Sequence, residues 1–271
     1  LDRSPIDALV FAMEGGQVLN SLANNNTFLA DYPTLHPVLA LQTILDKIRL
    51  QNQIDTSERA VNSVTFNANL TLMVTSGEEG KVKLWKKNGK KIREIQAYPA
   101  NIKINSIRFN SEGNKLAIAG KRGDAQIRNI EGKLLHTIHT NSVNGVRNIR
   151  FGHNEASNLL ITSGYDGSVK LWNKKGIFRR ELSDKRINEQ IKLAHLGGIE
   201  VVNISKDDKQ ILTGGRDKLA KLWDIDGTLK AEFMGHTRTI KSARFHPDGK
   251  SIVTAGEDDT IRIWSRKGKF K

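Results

Sequence analysis

The sequence predicts an all-β chain of about five repeated sheets behind a short helical lead, and three observations predict it. A short alternating strand closing on Trp recurs four times: GKVKLW at 80–85, GSVKLW at 167–172, KLAKLW at 218–223 and DTIRIW at 259–264. A fifth copy, DAQIRN at 124–129, carries Asn129 in place of Trp. The anchors Trp85, Asn129, Trp172, Trp223 and Trp264 are spaced by 44, 43, 51 and 41 residues, the long gap reflecting an insertion, SDKRINEQ at 183–190. Each unit also has an upstream strand (VTF at 64–66, IRF at 107–109, IRF at 149–151, VNI at 202–204, ARF at 243–245) and a second apolar strand such as ILT at 211–213 or IVT at 252–254. A period of roughly 40–45 residues with four short strands per unit is the mark of a β-propeller.

Composition sets the outer limits. The chain has 271 residues, enough for one large domain with a real core. Apolar residues make up 38% and charged residues 27%, the balance of a globular chain rather than a disordered one. Cysteine is absent, which excludes a disulfide scaffold, a thiolate zinc site, an iron–sulfur cluster and a Cys nucleophile. No apolar run approaches the roughly 20 residues of a membrane span, and the start lacks a secretory signal pattern. A cytoplasmic protein that uses no membrane is expected. The first residue is Leu1, so a piece of a longer or processed chain is expected. Net charge is +14; residues 1–57 hold three basic and six acidic side chains, so the excess lies in the repeats.

The chain changes character near residue 55, which divides a helical segment, 1–55, from a repeat region, 56–271. Ser4 reads as an N-cap, Pro5 as the first helical residue and Asp7 as an acid in the first turn, with Ile6, Leu9, Val10 and Met13 at helical spacing. A second helix is expected over about 37–51, with Leu41, Ile44, Leu45 and Ile48 as its buried stripe. The repeat units fall at about 56–97, 98–138, 139–190, 191–233 and 234–271.

These units resemble the WD40 repeat family, over about four-fifths of the chain. The fullest matches are AH at 194–195 with TGGRD at 213–217 and WD at 223–224, and GH at 235–236 with TAGED at 254–258 and Trp264. The resemblance implies a structural hydrogen-bond chain of His, Thr, Asp and Trp: His195, Thr213, Asp217 and Trp223 in the fourth unit, and His236, Thr254, Asp258 and Trp264 in the fifth. The physical need is clear, since a buried indole N–H requires an acceptor. The first unit keeps Thr75 and Trp85 but has Glu79 for Asp and Ser57 for His. The third keeps Thr162, Asp166 and Trp172 and lacks the His. The second has Asn129 for Trp and Gly123 for Asp, and is expected to be the least rigid blade.

WD40 rings mostly close with seven blades, so five units imply an incomplete propeller with unclosed blade edges open to self-association; a closed five-bladed ring and a ring completed by a second chain are the alternatives. The last unit holds at best the start of a fourth strand. The helical lead also resembles the junction in bacterial proteins that join a signalling NTPase to WD40 repeats. No phosphate loop is present: GEEGK at 77–81 has the wrong spacing and reads as a blade turn.

No catalytic residue, metal site or cofactor is expected. The acidic pairs Glu78/Glu79, Asp207/Asp208 and Asp258/Asp259 fall in turns. His136 and His139 lie three apart on a strand and face opposite ways. What remains is a binding surface. The resemblance places the residue before each turn Asp on the top face, near the central channel: Glu78, Arg122, Tyr165, Arg216 and Glu257, with Arg238 close by. The expected function is a non-catalytic scaffold or sensor module that binds other proteins. The alternative is a phosphate-driven nucleic-acid or acidic-protein binder using the basic turns Lys86-Lys87, Lys90-Lys91, Lys174-Lys175 with Arg179-Arg180, and Arg266-Lys267 with Lys269.

Overall fold

A computed structural model describes residues 54–56, 60–183 and 193–268. The two helices expected before residue 55, Ser57, all of the insertion 183–190 after Ser183, and Lys269 lie outside the described residues. The described strands belong to one unit, Ile54–Lys271.

Among the described residues nineteen strands form five antiparallel sheets in chain order, each a meander of neighbours. The first blade is β1 (Val61–Phe66), β2 (Leu72–Gly77), β3 (Lys81–Lys86) and β4 (Lys91–Gln96). The second is β5 (Ile104–Phe109), β6 (Lys115–Gly120), β7 (Asp124–Asn129) and β8 (Leu134–His139). The third is β9 (Val146–Phe151), β10 (Leu160–Gly164), β11 (Val169–Trp172) and β12 (Phe178–Leu182). The fourth is β13 (Ile199–Ile204), β14 (Gln210–Gly215), β15 (Ala220–Asp224) and β16 (Leu229–Phe233). The fifth has three described strands, β17 (Ile240–Phe245), β18 (Ser251–Gly256) and β19 (Ile261–Ser265).

Burial follows strand position. The second strands are apolar on both faces because a blade is covered on both sides, so β10 and most of β14 are buried throughout. The fourth strands lie outermost; β4 buries only Ile95 of its six residues. The turn between second and third strands always holds one residue in the left-handed region: Gly80, Gly123, Gly167, Lys218 and Asp259. At Gly167 a Cβ would sit 2.0 Å from the His195 carbonyl oxygen, so that turn tolerates only Gly.

The first strands pack on one another in chain order, β1 on β5, β5 on β9, β9 on β13 and β13 on β17. An Asn from each crosses to the next: Asn62 to the Ile104 carbonyl (3.2 Å), Asn105 to Val146 (2.8 Å), Asn148 to Glu200 (3.1 Å) and Asn203 to Ala243 (2.8 Å). Four cores fill the seams between successive blades. The anchor Trp of blades three, four and five belongs to the core it shares with the preceding blade: Trp172 is clustered with Ile127, Trp223 with Leu171 and Trp264 with Leu222. Fully burying one such indole contributes on the order of 5 kcal/mol of transfer free energy before entropy is counted.

The row of blades has two ends. Val64 and Phe66 on β1 occupy the places that Ile149 and Phe151 fill in the third blade, yet are 54% and 48% exposed. Ile261 and Ile263 on β19 are exposed likewise, where Val169 and Leu171 are buried in the third blade. Among the described residues, β17 and β1 do not pack on each other as the successive inner strands do.

Candidate functional site

The hydrogen-bond chain of the fourth blade starts from a backbone fact. The amides of Ala194 and His195 both donate to the Gly167 carbonyl, which fixes His195 beneath the preceding blade's turn. His195 Nδ1 lies 2.9 Å from Asp217 Oδ1, its Nε2 lies 2.6 Å from Thr213 Oγ1, and the Trp223 indole donates to that oxygen at 3.0 Å. In the fifth blade His236 makes the same contacts with Asp258 and Thr254, and Trp264 donates to Thr254 at 2.8 Å. Burial pushes the Asp258 carboxyl up, but hydrogen bonds from the Thr237 amide, His236 and Thr260 outweigh it and hold the group well below the usual carboxylate range.

The other blades keep the position and change the chemistry. Trp85 and Trp172 donate to Thr75 and Thr162 at 3.0 and 2.8 Å. In the third blade Ser142 takes the His place: it donates to Asp166 at 2.9 Å and the next amide, Val143, donates to the same carboxylate, while the Thr140 hydroxyl two residues earlier bonds the Gly123 carbonyl. In the second blade Tyr98 stands there, its amide on the Gly80 carbonyl. Its hydroxyl donates to the Asp124 carbonyl at 2.8 Å, with the Ile118 carbonyl at 3.3 Å. Ile118 replaces the Thr, so no buried acceptor is left without a donor. The second blade keeps four strands and a full seam on an apolar solution.

These chains hold the turns that carry the candidate contact residues. The inner strands begin at the same end of the blades as those turns, and there a charged group converges. Glu200 is the second residue of β13, with its side chain only 2% exposed. Its carboxylate meets Arg147 Nη2 at 2.6 Å, Arg216 Nε at 2.8 Å and Lys241 Nζ at 3.6 Å. Arg147 and Lys241 hold the same strand position on β9 and β17, so three blades meet at one carboxylate. Burial pushes the Glu200 carboxyl up, and the three cations overcome this and hold it below its ordinary value. Arg147 donates to the Tyr165 hydroxyl at 3.0 Å and lies over its ring at 5.3 Å; Arg216 lies 5.9 Å from the same ring. Lys241 also pairs with Glu257 at 2.8 Å, and the charge of Arg238 acts on Glu257.

Of the six residues picked from sequence, Tyr165, Arg216, Glu257 and Arg238 therefore belong to one linked group over blades three to five. Glu78 stands apart, 3.5 Å from Lys103 at the seam of the first two blades. Arg122 is exposed on the second blade and is tied to none of them. The organising residues Glu200, Arg147 and Lys241 were not picked. Their signal is a charge at the second place of the first strand, in VRNIRF, IEVVNI and IKSARF. Among the described residues no three His, Asp or Glu side chains are grouped to hold a metal, and no helix is long and apolar enough to cross a membrane.

Comparison with known proteins supplies the context. The pattern of the WD domain, G-beta repeat, matches residues 188–224 and 227–265. That of the anaphase-promoting complex subunit 4 WD40 domain matches 64–154. An uncharacterized WD repeat-containing protein of Synechocystis sp. is 32% identical over 33% of this chain and 8% of its own length. The nuclear distribution protein nudF of Aspergillus niger is 24% identical over 69% of this chain and 41% of its own. The small ribosomal subunit protein RACK1 of Drosophila melanogaster is 26% identical over 36% of this chain and 28% of its own. The chain thus spans less than half the length of these relatives. The crystal structure of the computationally designed Ika8 protein superposes with a TM-score of 0.64 at 21% identity, over 82% of this chain and 64% of that one, a likeness of fold alone. With WD40 patterns on residues 64–154, 188–224 and 227–265 and five repeated four-stranded or three-stranded sheets, the chain belongs to the WD40-repeat family.

Proposed function

We propose that this chain is a non-catalytic protein-interaction module whose contact centre is the group around Glu200. One observation carries the reading: a buried carboxylate pins Arg147, Arg216 and Lys241 from three blades beside Tyr165. Tyr and Arg are the residues that anchor interfaces, and side chains already held in place lose less entropy on binding. Related proteins support it in their names alone; MST50-interacting protein 11 of Pyricularia oryzae is 32% identical over 29% of this chain. A cytoplasmic site and a sensor role in a larger signalling protein extend the same reading. A second copy is the partner we assign to the exposed end faces around Phe66 and Ile263, and a light-scattering mass near 30 kDa at high concentration would remove that assignment.

The basic turns support a nucleic-acid reading less well. Lys87 and Lys90, Lys174 and Lys175, and Arg266 and Lys267 sit at equivalent turns of blades one, three and five. The matching turns of blades two and four bear Glu131 and Asp226, which break the stripe of charge.

The test is quantitative affinity capture with the wild-type chain, a Tyr165→Ala/Arg216→Ala variant and a Lys174→Ala/Lys175→Ala variant. A shared protein set lost only in the first variant supports the contact centre. Equal capture by all three, or retention of nucleic acid at physiological salt, counts against it.

A further inference from the structure

One turn of strand below the Glu200 level, the inner strands carry a second ring of charge with a different balance. Arg108 on β5, Arg150 on β9 and Arg244 on β17 occupy one register position, opposite Ala117, Ile161 and Val253 of their second strands. Thr65 and Asn203 complete the level. Arg108 is half-buried and donates through Nη1 to the Ile107 carbonyl (2.6 Å) and to Ser63 Oγ (3.1 Å). Arg150 is half-buried and donates through Nε to the Val202 carbonyl at 2.6 Å. Arg244 is exposed and makes no hydrogen bond or ion pair among the described residues.

The three guanidinium groups share one neighbourhood. Burial lowers the Arg150 pKa, and the charges of Arg108 and Arg244 lower it further. Arg108 is lowered by burial and by Arg244. Arg108, Arg150 and Arg244 hold one level of the inner strands of blades two, three and five, and their charges act on one another across it. Among the described residues no carboxylate acts on Arg108 or Arg150. The inner-strand acid, Glu200, is engaged one level above by Arg147, Arg216 and Lys241. Three cations gathered without a counterion repel one another and resist desolvation. An oxyanion with several acceptor oxygens resolves both penalties, and planar guanidinium forks suit phosphoryl oxygens best.

We propose that the Arg108–Arg150–Arg244 level is a binding site for a small phosphate-bearing anion. Three cations on one strand level, close enough for their charges to act on one another, suit a compact anion, whereas the phosphates of a nucleic acid are met along a line. The site is independent of the contact centre proposed above and stands if that reading fails.

Calorimetry with inorganic pyrophosphate tests it, using the wild-type chain, Arg150→Met, Arg244→Met, Arg244→Lys and a surface control, Lys87→Met/Lys90→Met. Expected are one site per chain, at least tenfold weaker binding for each Met variant, an intermediate loss for Arg244→Lys and a change under twofold for the control. Arg244 is exposed, so its variants keep the fold. Absence of saturable binding in the wild type overturns the proposal. So does equal weakening in the surface control, or binding at several sites that ignores Arg150 and Arg244.

Discussion

The two charged levels of the inner strands differ by three residues of strand and by one carboxylate. The upper level sets Glu200 among Arg147, Arg216 and Lys241, so its charges are largely satisfied inside the protein. The lower level sets Arg108, Arg150 and Arg244 on one register position with no acid beside them among the described residues. The same register of the same strands therefore yields two surfaces with opposite demands. One is held rigid by its own counter-charge and can offer fixed side chains to a partner. The other is short of negative charge and gains by taking it from outside.

The largest effect expected is from the upper level. Glu200→Gln leaves three cations facing one another around a buried amide and should cost about 3 kcal/mol, as loss of one member of a buried charge group does. Denaturant melts check this, and a cost below about 1 kcal/mol would mean that the group is a surface pairing. The turn that presents Arg216 depends in turn on the chain below it. Thr213→Val strips the acceptor from the Trp223 indole and from His195, and should cost about 2 kcal/mol. In the second blade, Tyr98→Phe removes one hydroxyl that serves only backbone carbonyls and should cost about 1 kcal/mol, without disturbing either level. If the two costs come out reversed, the apolar blade depends on its tyrosine more than the polar blade depends on its threonine.

Acid separates the levels further. The Glu200 carboxyl is held below its ordinary value, so it adds stability that is fully present above the unfolded value of about 4.3 and is lost as pH falls through the folded one. Asp166 and Asp258 behave alike. The lower level has no carboxylate and contributes nothing to this limb. Hydrogen exchange between pH 3 and pH 6 should therefore open the turns of blades three to five before β6 and β7, where Gly123 replaces the aspartate.

The repeats were legible because the Trp–Thr pair and the turn before it need particular residue types at a fixed spacing. The His position was legible only where it was His. Tyr98 and Ser142 occupy it because the backbone around the turn selects the place, and several side chains satisfy it. Glu200 was overlooked because one acid in IEVVNI does not disturb an apolar strand pattern. The Arg level was in plain view as IRF, IRF and ARF, but its meaning needs the inner strands brought to one level. The end faces at Val64 and Ile261 follow from the same cause: a strand pattern says that a face is apolar, and only the neighbouring blade says whether it is covered.

The smallest stability effect is also the most telling. Arg244→Met breaks no hydrogen bond and relieves repulsion, so a gain of about 0.5 kcal/mol is expected at low salt. Thermal melts of the wild type, Glu200→Gln and Arg244→Met, in sodium phosphate and in sodium chloride of matched ionic strength, bring both levels into one measurement. Expected are a lower Tm for Glu200→Gln, a slightly higher one for Arg244→Met, and an extra stabilisation by phosphate that Arg244→Met alone loses. Shifts of the same sign in both variants, with phosphate and chloride indistinguishable, would contradict the division of the inner strands into a satisfied level and an unsatisfied one.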